Sequence, residues 1–111
     1  MIFSPAMIKA IKSGRKTETR RVAEDGKPCR YVPGRTYALQ PGRGKKSVGR
    51  ILVLQVWEEL LADMCDEAAI PEGFGSREAF VTYWTALHGG FYAWSRVWAI
   101  RFIYEDEGDQ A

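Results

Sequence analysis

The segment from Arg96 to Tyr104 alternates with the two-residue period of a β-strand. Trp98, Ile100, Phe102 and Tyr104 face one way, and Val97, Ala99, Arg101 and Ile103 the other. A second run, from Arg50 to Trp57, is almost continuous Ile, Leu and Val, the mark of a strand covered on both faces. Two shorter strand-like runs precede it, Thr17 to Val22 and Arg35 to Gln40. The polarity of the first argues against a mostly buried strand there. Strands this few and short must curl into a small barrel to remove their edges, with helices closing the ends. The order of three strands, a helical insertion and a final strand places the chain in the α+β class.

The helices carry their own signals. Ser4-Pro5 supplies a cap and a proline for the first turn, Met7, Ile8 and Ile11 share a face, and Gly14 stops the helix, which predicts helix over residues 5–13. Glu58 to Ala69 is amphipathic and is expected to be helical in part, ending at Pro71-Glu72-Gly73-Phe74-Gly75. Ser76 then caps a second clear helix. Phe80, Tyr83, Trp84 and Leu87 recur in it at the spacing of one apolar face, and His88-Gly89-Gly90 closes it.

With 111 residues, the chain has the length of one domain, expected over 1–104. Residues 105–111 begin Glu105-Asp106-Glu107-Gly108-Asp109 and read as an acidic, disordered tail. No apolar run approaches the roughly 20 residues that span a bilayer, so no membrane partner is expected. The start lacks a signal-peptide pattern, and Cys29 and Cys65 fit neither a disulfide framework nor a metal motif. The expectation is a cytoplasmic protein that uses no metal or other cofactor. Charge is divided unevenly. Residues 9–50 hold thirteen Lys or Arg against three acids, and residues 51–111 hold three Arg against eleven acids. A basic half of this kind attracts polyanions, chiefly nucleic acid.

The densest polar stretch is Gly14-Arg15-Lys16-Thr17-Glu18-Thr19-Arg20-Arg21, directly behind the first helix. Together with Glu72-Gly73-Phe74-Gly75-Ser76 and Arg96-Val97-Trp98-Ala99-Ile100, it makes the chain resemble an ASCH domain of the PUA-like superfamily. That resemblance runs from about residue 1 to 104. It implies a small PUA-like β-barrel with flanking helices, and a cleft lined by the Gly14–Arg21 motif and suited to RNA or a modified nucleoside. Within the family, Gly14, Arg15, Lys16, Thr17, Thr19 and Arg21 are similar to the motif of the small bacterial N4-acetylcytidine amidohydrolases. The similarity puts Lys16 and Thr19 on catalytic positions. Glu72 takes the place of the catalytic glutamate, with Glu67 and Glu78 as alternatives.

Two functions are therefore carried forward, an RNA- or nucleoside-binding module and a metal-independent amidohydrolase. A ribonuclease is a weaker third, because the lone His88 has no evident acid–base partner. Arg15, Thr17, Arg20, Arg21, Lys45 and Lys46 are the candidate ligand- or RNA-binding residues, with Lys16 and Arg21 as phosphate contacts in a binding module, and Tyr92 and Trp94 are the candidate stacking residues. The loop Pro41–Ser47 is not a phosphate-binding loop, since Lys46 stands where that motif needs Ser or Thr. In an ideal strand Lys16 and Thr19 face opposite ways, so they share a site only if the chain turns between them.

Overall fold

The computed structural model describes residues 1–106; the remainder of the expected acidic tail lies outside them. Helix α1 (Pro5–Lys12) begins as the sequence predicts, with the Ser4 hydroxyl accepting from the Met7 amide at 3.3 Å. Its Ile8, Ala10 and Ile11 are buried. Gly14 then adopts φ +82°, which turns the chain back so that Arg15 and Lys16 both donate their amides to the Ala10 carbonyl.

Four strands follow: β1 (Glu18–Val22), β2 (Thr36–Ala38), β3 (Arg50–Leu60) and β4 (Arg96–Glu105). They pair antiparallel in the order β1-β4-β3-β2, a half-barrel with helices around it. The long β3 and β4 pair along nearly their whole length, interrupted by an irregularity between Val53 and Gln55. Such a bulge bends a strand and strengthens its twist. The N-terminal segment runs beside the end of the sheet, where Ile2 and Gln40 form a parallel bridge and the Met1 ammonium donates to the Ala38 carbonyl at 2.6 Å.

Between β3 and β4 lie a 3-10 turn at Leu61–Asp63, α2 (Asp66–Ala69) and α3 (Arg77–His88). The part of Glu58–Ala69 that is helical is its second half, the 3-10 turn and α2. Glu58, Glu59 and Leu60 extend β3, because they pair with Trp98, Val97 and Arg96 of β4. Pairing outweighs an amphipathic pattern that suits either structure. Helix α3 matches its reading, with the Ser76 hydroxyl capping Ala79 and Gly89 left-handed at φ +77°.

Two apolar clusters hold these parts together. Phe3, Ile8, Ile11, Leu39, Ile51, Val53, Ile100 and Phe102 form the larger, beneath α1. Leu61, Met64, Ala69, Phe80, Trp84 and Val97 form the smaller, beneath α2 and α3. Each fully buried Phe, Ile or Leu contributes about 1.5–3 kcal/mol by leaving water. Strand β4 serves both clusters, so Val97 and Ala99 are as buried as Ile100 and Phe102. The candidate site lies at the junction of the two clusters.

Candidate functional site

The site is built by two loops stitched together at one carbonyl. Pro71 accepts the amides of Thr17 at 2.7 Å and Glu18 at 3.0 Å, which bends the chain just before β1. This is the turn the sequence requires between Lys16 and Thr19. It lays the start of the motif against Glu72, which follows Pro71. Gly73, at φ +100°, completes the bend, and a Cβ there would stand 3.5 Å from the Lys16 Cβ.

Lys16 and Glu72 are each 3% exposed. The Lys16 Nζ donates to the Glu18 carbonyl, the Glu72 carbonyl and Glu72 Oε1, each at 2.9 Å. All three ammonium protons are thus engaged. Arg20 donates from Nη1 to Glu72 Oε2 at 3.1 Å and to Glu18 at 3.4 Å, and from Nε to Glu59. Arg101 pairs with the other oxygen of Glu18 at 3.1 Å, and the Trp57 indole donates to Glu59. Three cations and three carboxylates therefore neutralise one another in an alternating chain. This pairing is why Glu18 and Arg20 are buried in β1 despite the expectation from polarity; a buried charge is tolerated when it is paired and hydrogen-bonded.

Burial shifts these groups. Lys16 titrates below its usual range because desolvation, helped by Arg21 and Arg20, outweighs the pull of the Glu72 carboxylate. Burial also works against the charge on Arg20, but Glu59 and Glu72 more than offset it and its pKa is raised.

Above this floor opens a cavity of about 380 Å³. Lys16, Thr19, Arg20, Arg21 and Glu72 line one side, Phe3 and Met7 another, and Tyr83, Trp84, Leu87 and His88 of α3 a third. The Thr19 hydroxyl makes no hydrogen bond among the described residues. Arg21 is the cavity cation without a carboxylate among the described residues. Its Nη2 donates to the Ile2 carbonyl at 3.0 Å, its guanidinium lies 4.7 Å from the centre of the Phe3 ring, and its Nε is buried with no partner. Desolvation lowers its pKa, as it does that of His88, which also feels the charge of Arg21. His88 stacks on Trp84, with ring centres 4.1 Å apart.

The cavity thus gathers Lys16, Thr19, Arg20, Arg21 and Glu72. Of the remaining candidates, Arg15, Lys45, Lys46, Tyr92 and Trp94 are exposed and do not line it. Thr17 serves the site through its backbone, donating to Pro71 and accepting from the Phe102 amide. Glu67 and Glu78, the alternatives to Glu72, are exposed and outside the lining. Sequence reading missed Tyr83 and His88, and it placed Leu87 on a core face. Leu87 is 63% exposed at the cavity. Helical spacing groups these residues on one face but does not distinguish a core from a cavity wall.

The fold was compared with solved structures. The ASCH domain of Lactobacillus crispatus JV V101 superposes with a TM-score of 0.69 at 15% identity, covering 89% of this chain and 70% of that one. The chain has the ASCH fold. A protein from Enterococcus faecalis V583 gives a TM-score of 0.68 at 17% identity, covering 91% of this chain and 71% of its own. A point-mutant form of the Zymomonas mobilis protein ZmASCH gives 0.64 at 18% identity, covering 96% and 68%. No family model and no curated protein sequence matches the chain. Among the described residues no helix is long and apolar enough to cross a membrane, and no His, Cys, Asp and Glu side chains cluster in a way that would hold a metal.

Proposed function

We propose that the cavity of this ASCH fold binds a single nucleobase, presented by RNA or by a modified nucleoside. The observation that carries this reading is the contrast between a self-neutralised floor and the groups left open above it. Lys16, Arg20 and Glu72 satisfy one another, whereas the Arg21 guanidinium and the Thr19 hydroxyl have bonding capacity to spare. They face aromatic walls from Phe3, Tyr83 and Trp84. A flat heterocycle with polar edges suits such a site, and about 380 Å³ lies at the small end of ligand cavities. Of the thirteen cations in residues 9–50, nine are exposed: Lys9, Lys12, Arg15, Lys27, Arg30, Arg35, Arg43, Lys45 and Lys46. They supply exposed positive charge of the kind an RNA backbone attracts.

Calorimetric titration with N4-acetylcytidine tests the reading. Saturable binding to one site is expected, weakened about tenfold or more in Arg21→Met, the scale of a lost charge-assisted hydrogen bond. No heat from a folded protein, with either this nucleoside or single-stranded RNA, would remove the proposal.

A second reading, N4-acetylcytidine amidohydrolase, is favoured by one observation: the free Thr19 hydroxyl shares the cavity with the Lys16–Glu72 pair. Lys16 in its charged form has no proton left to offer an oxyanion, so Arg21 is the group to stabilise that charge. Transfer of one Lys16 proton to Glu72 Oε1 leaves a neutral amine, and burial favours that form. Once its lone pair turns from Glu72 toward Thr19, the amine accepts the Thr19 proton as the hydroxyl attacks the acetyl carbon. Collapse breaks the C–N bond, the proton goes to the departing N4 amine of cytidine, and water then releases acetate from Thr19. Chromatography for cytidine release, with Thr19→Ala alongside, tests this reading. Product from both proteins, or from neither, counts against Thr19 as the nucleophile.

A further inference from the structure

A second cavity, of about 280 Å³, adjoins the first. Residues 21–22 of β1 line both, and Arg21 is the charged side chain common to the two. The second cavity differs in chemistry. Tyr31 and Trp98 offer it aromatic surface, and Arg21, Lys27 and Arg30 give it three cations. Its acid, Glu24, is ion-paired with Lys27 at 2.7 Å, whereas Arg30 makes no ion pair among the described residues. Its guanidinium lies 5.8 Å from the centre of the Tyr31 ring. The first cavity adds to its cations the hydroxyls of Thr19 and Tyr83 and the Glu72 carboxylate, as the edges of a base require; in the second, Arg30 and the rings of Tyr31 and Trp98 suit a phosphate and a stacked base.

We infer that the second cavity holds the neighbouring nucleotide of the same strand, with the linking phosphodiester on Arg21. The preferred ligand is then an oligonucleotide of at least two residues, read as one base in each cavity. This rests on the proposed function, since it takes the first cavity as a nucleobase site. A lone nucleoside in the first cavity leaves Arg21 and Arg30 without a counter-charge, whereas a dinucleotide supplies one at the shared wall. A mononucleotide supplies the phosphate without the second base, so the two sources of charge are separable by experiment.

The test compares calorimetric affinities for N4-acetylcytidine, its 5′-monophosphate, and the two dinucleotides that join it to uridine on either side. One dinucleotide is expected to bind at least about tenfold tighter than both the nucleoside and the mononucleotide, the range of one base stacked on an aromatic side chain with its phosphate contacted. The exposed Arg30→Ala is expected to abolish most of that gain and leave nucleoside affinity unchanged. A mononucleotide that binds as tightly as either dinucleotide would show a phosphate site alone and overturn the inference. So would a dinucleotide gain that survives Arg30→Ala. If none of the four ligands binds, the nucleobase reading of the first cavity fails and takes this inference with it, a result distinct from nucleoside binding without a gain.

Discussion

The ammonium of Lys16 and the carboxylate of Glu72, 56 residues apart in sequence, meet at 2.9 Å on the buried floor of the cavity. Neither is there by its own preference for burial. Each is tolerated because the other, the Glu18 and Glu72 carbonyls and Arg20 complete its bonding.

Breaking that pair from one side is expected to be costly. Glu72→Ala leaves the buried Lys16 without its carboxylate, with a predicted loss of about 3 kcal/mol or more. Lys16→Met with Glu72→Leu removes both charges and is expected to recover most of that loss. Urea midpoints of the three proteins check this. A single mutant as stable as the starting chain would mean that the pair is not buried in solution.

The bend at Gly73 predicts a backbone effect. At φ +100° an added Cβ is strained, and it would also touch the Lys16 side chain at 3.5 Å. Gly73→Ala is expected to cost about 1–2 kcal/mol through the backbone conformation alone. Gly75→Ala serves as the control, because a Cβ there meets nothing within 4 Å.

His88 supplies a prediction about pH. Burial and the nearby Arg21 hold its pKa below the usual 6.5. The folded chain therefore sheds a proton that the unfolded chain keeps between the folded value and 6.5. Stability contributed by His88 rises as pH climbs through that window, is complete above 6.5, and is lost as pH falls back through it. A proton NMR titration of the imidazole is expected to give a midpoint below 6.5, moving upward in Arg21→Met. A midpoint at or above 6.5 would place Arg21 away from the ring.

Thr19 separates binding from chemistry. If the cavity only binds, Thr19→Ala loses one hydrogen bond and weakens N4-acetylcytidine affinity by about threefold to tenfold. If Thr19 is the nucleophile, the same variant keeps most of its affinity and loses product formation entirely. Parallel titration and chromatography distinguish the two.

Much of this arrangement was legible in the sequence because the signals were local. Ser4-Pro5, Gly14 and Ser76 fix helix ends through groups a few residues away, and the alternation from Arg96 sets β4. The polar motif stood out by density alone. What the sequence concealed depends on distant partners. Arg20 is buried in a strand because Glu59, 39 residues on, accepts its proton, and Glu18 because Arg101 lies 83 residues on. Tyr83 and His88 face the cavity only because α3 packs where the two apolar clusters meet. The exposed Lys45, Lys46, Tyr92 and Trp94 have the right chemistry for a nucleic-acid ligand, but the fold leaves them outside the cavity.

The central claim is that a nucleobase occupies the cavity above Lys16 and Glu72. Its most direct measurement is a titration of the isotope-labelled protein with N4-acetylcytidine, followed by NMR at Thr19, Arg21, Tyr83 and His88. Saturable shifts at these four, with Lys45 and Trp94 unmoved, are the predicted result. Shifts confined to the exposed loops, or none at saturating nucleoside, would contradict it.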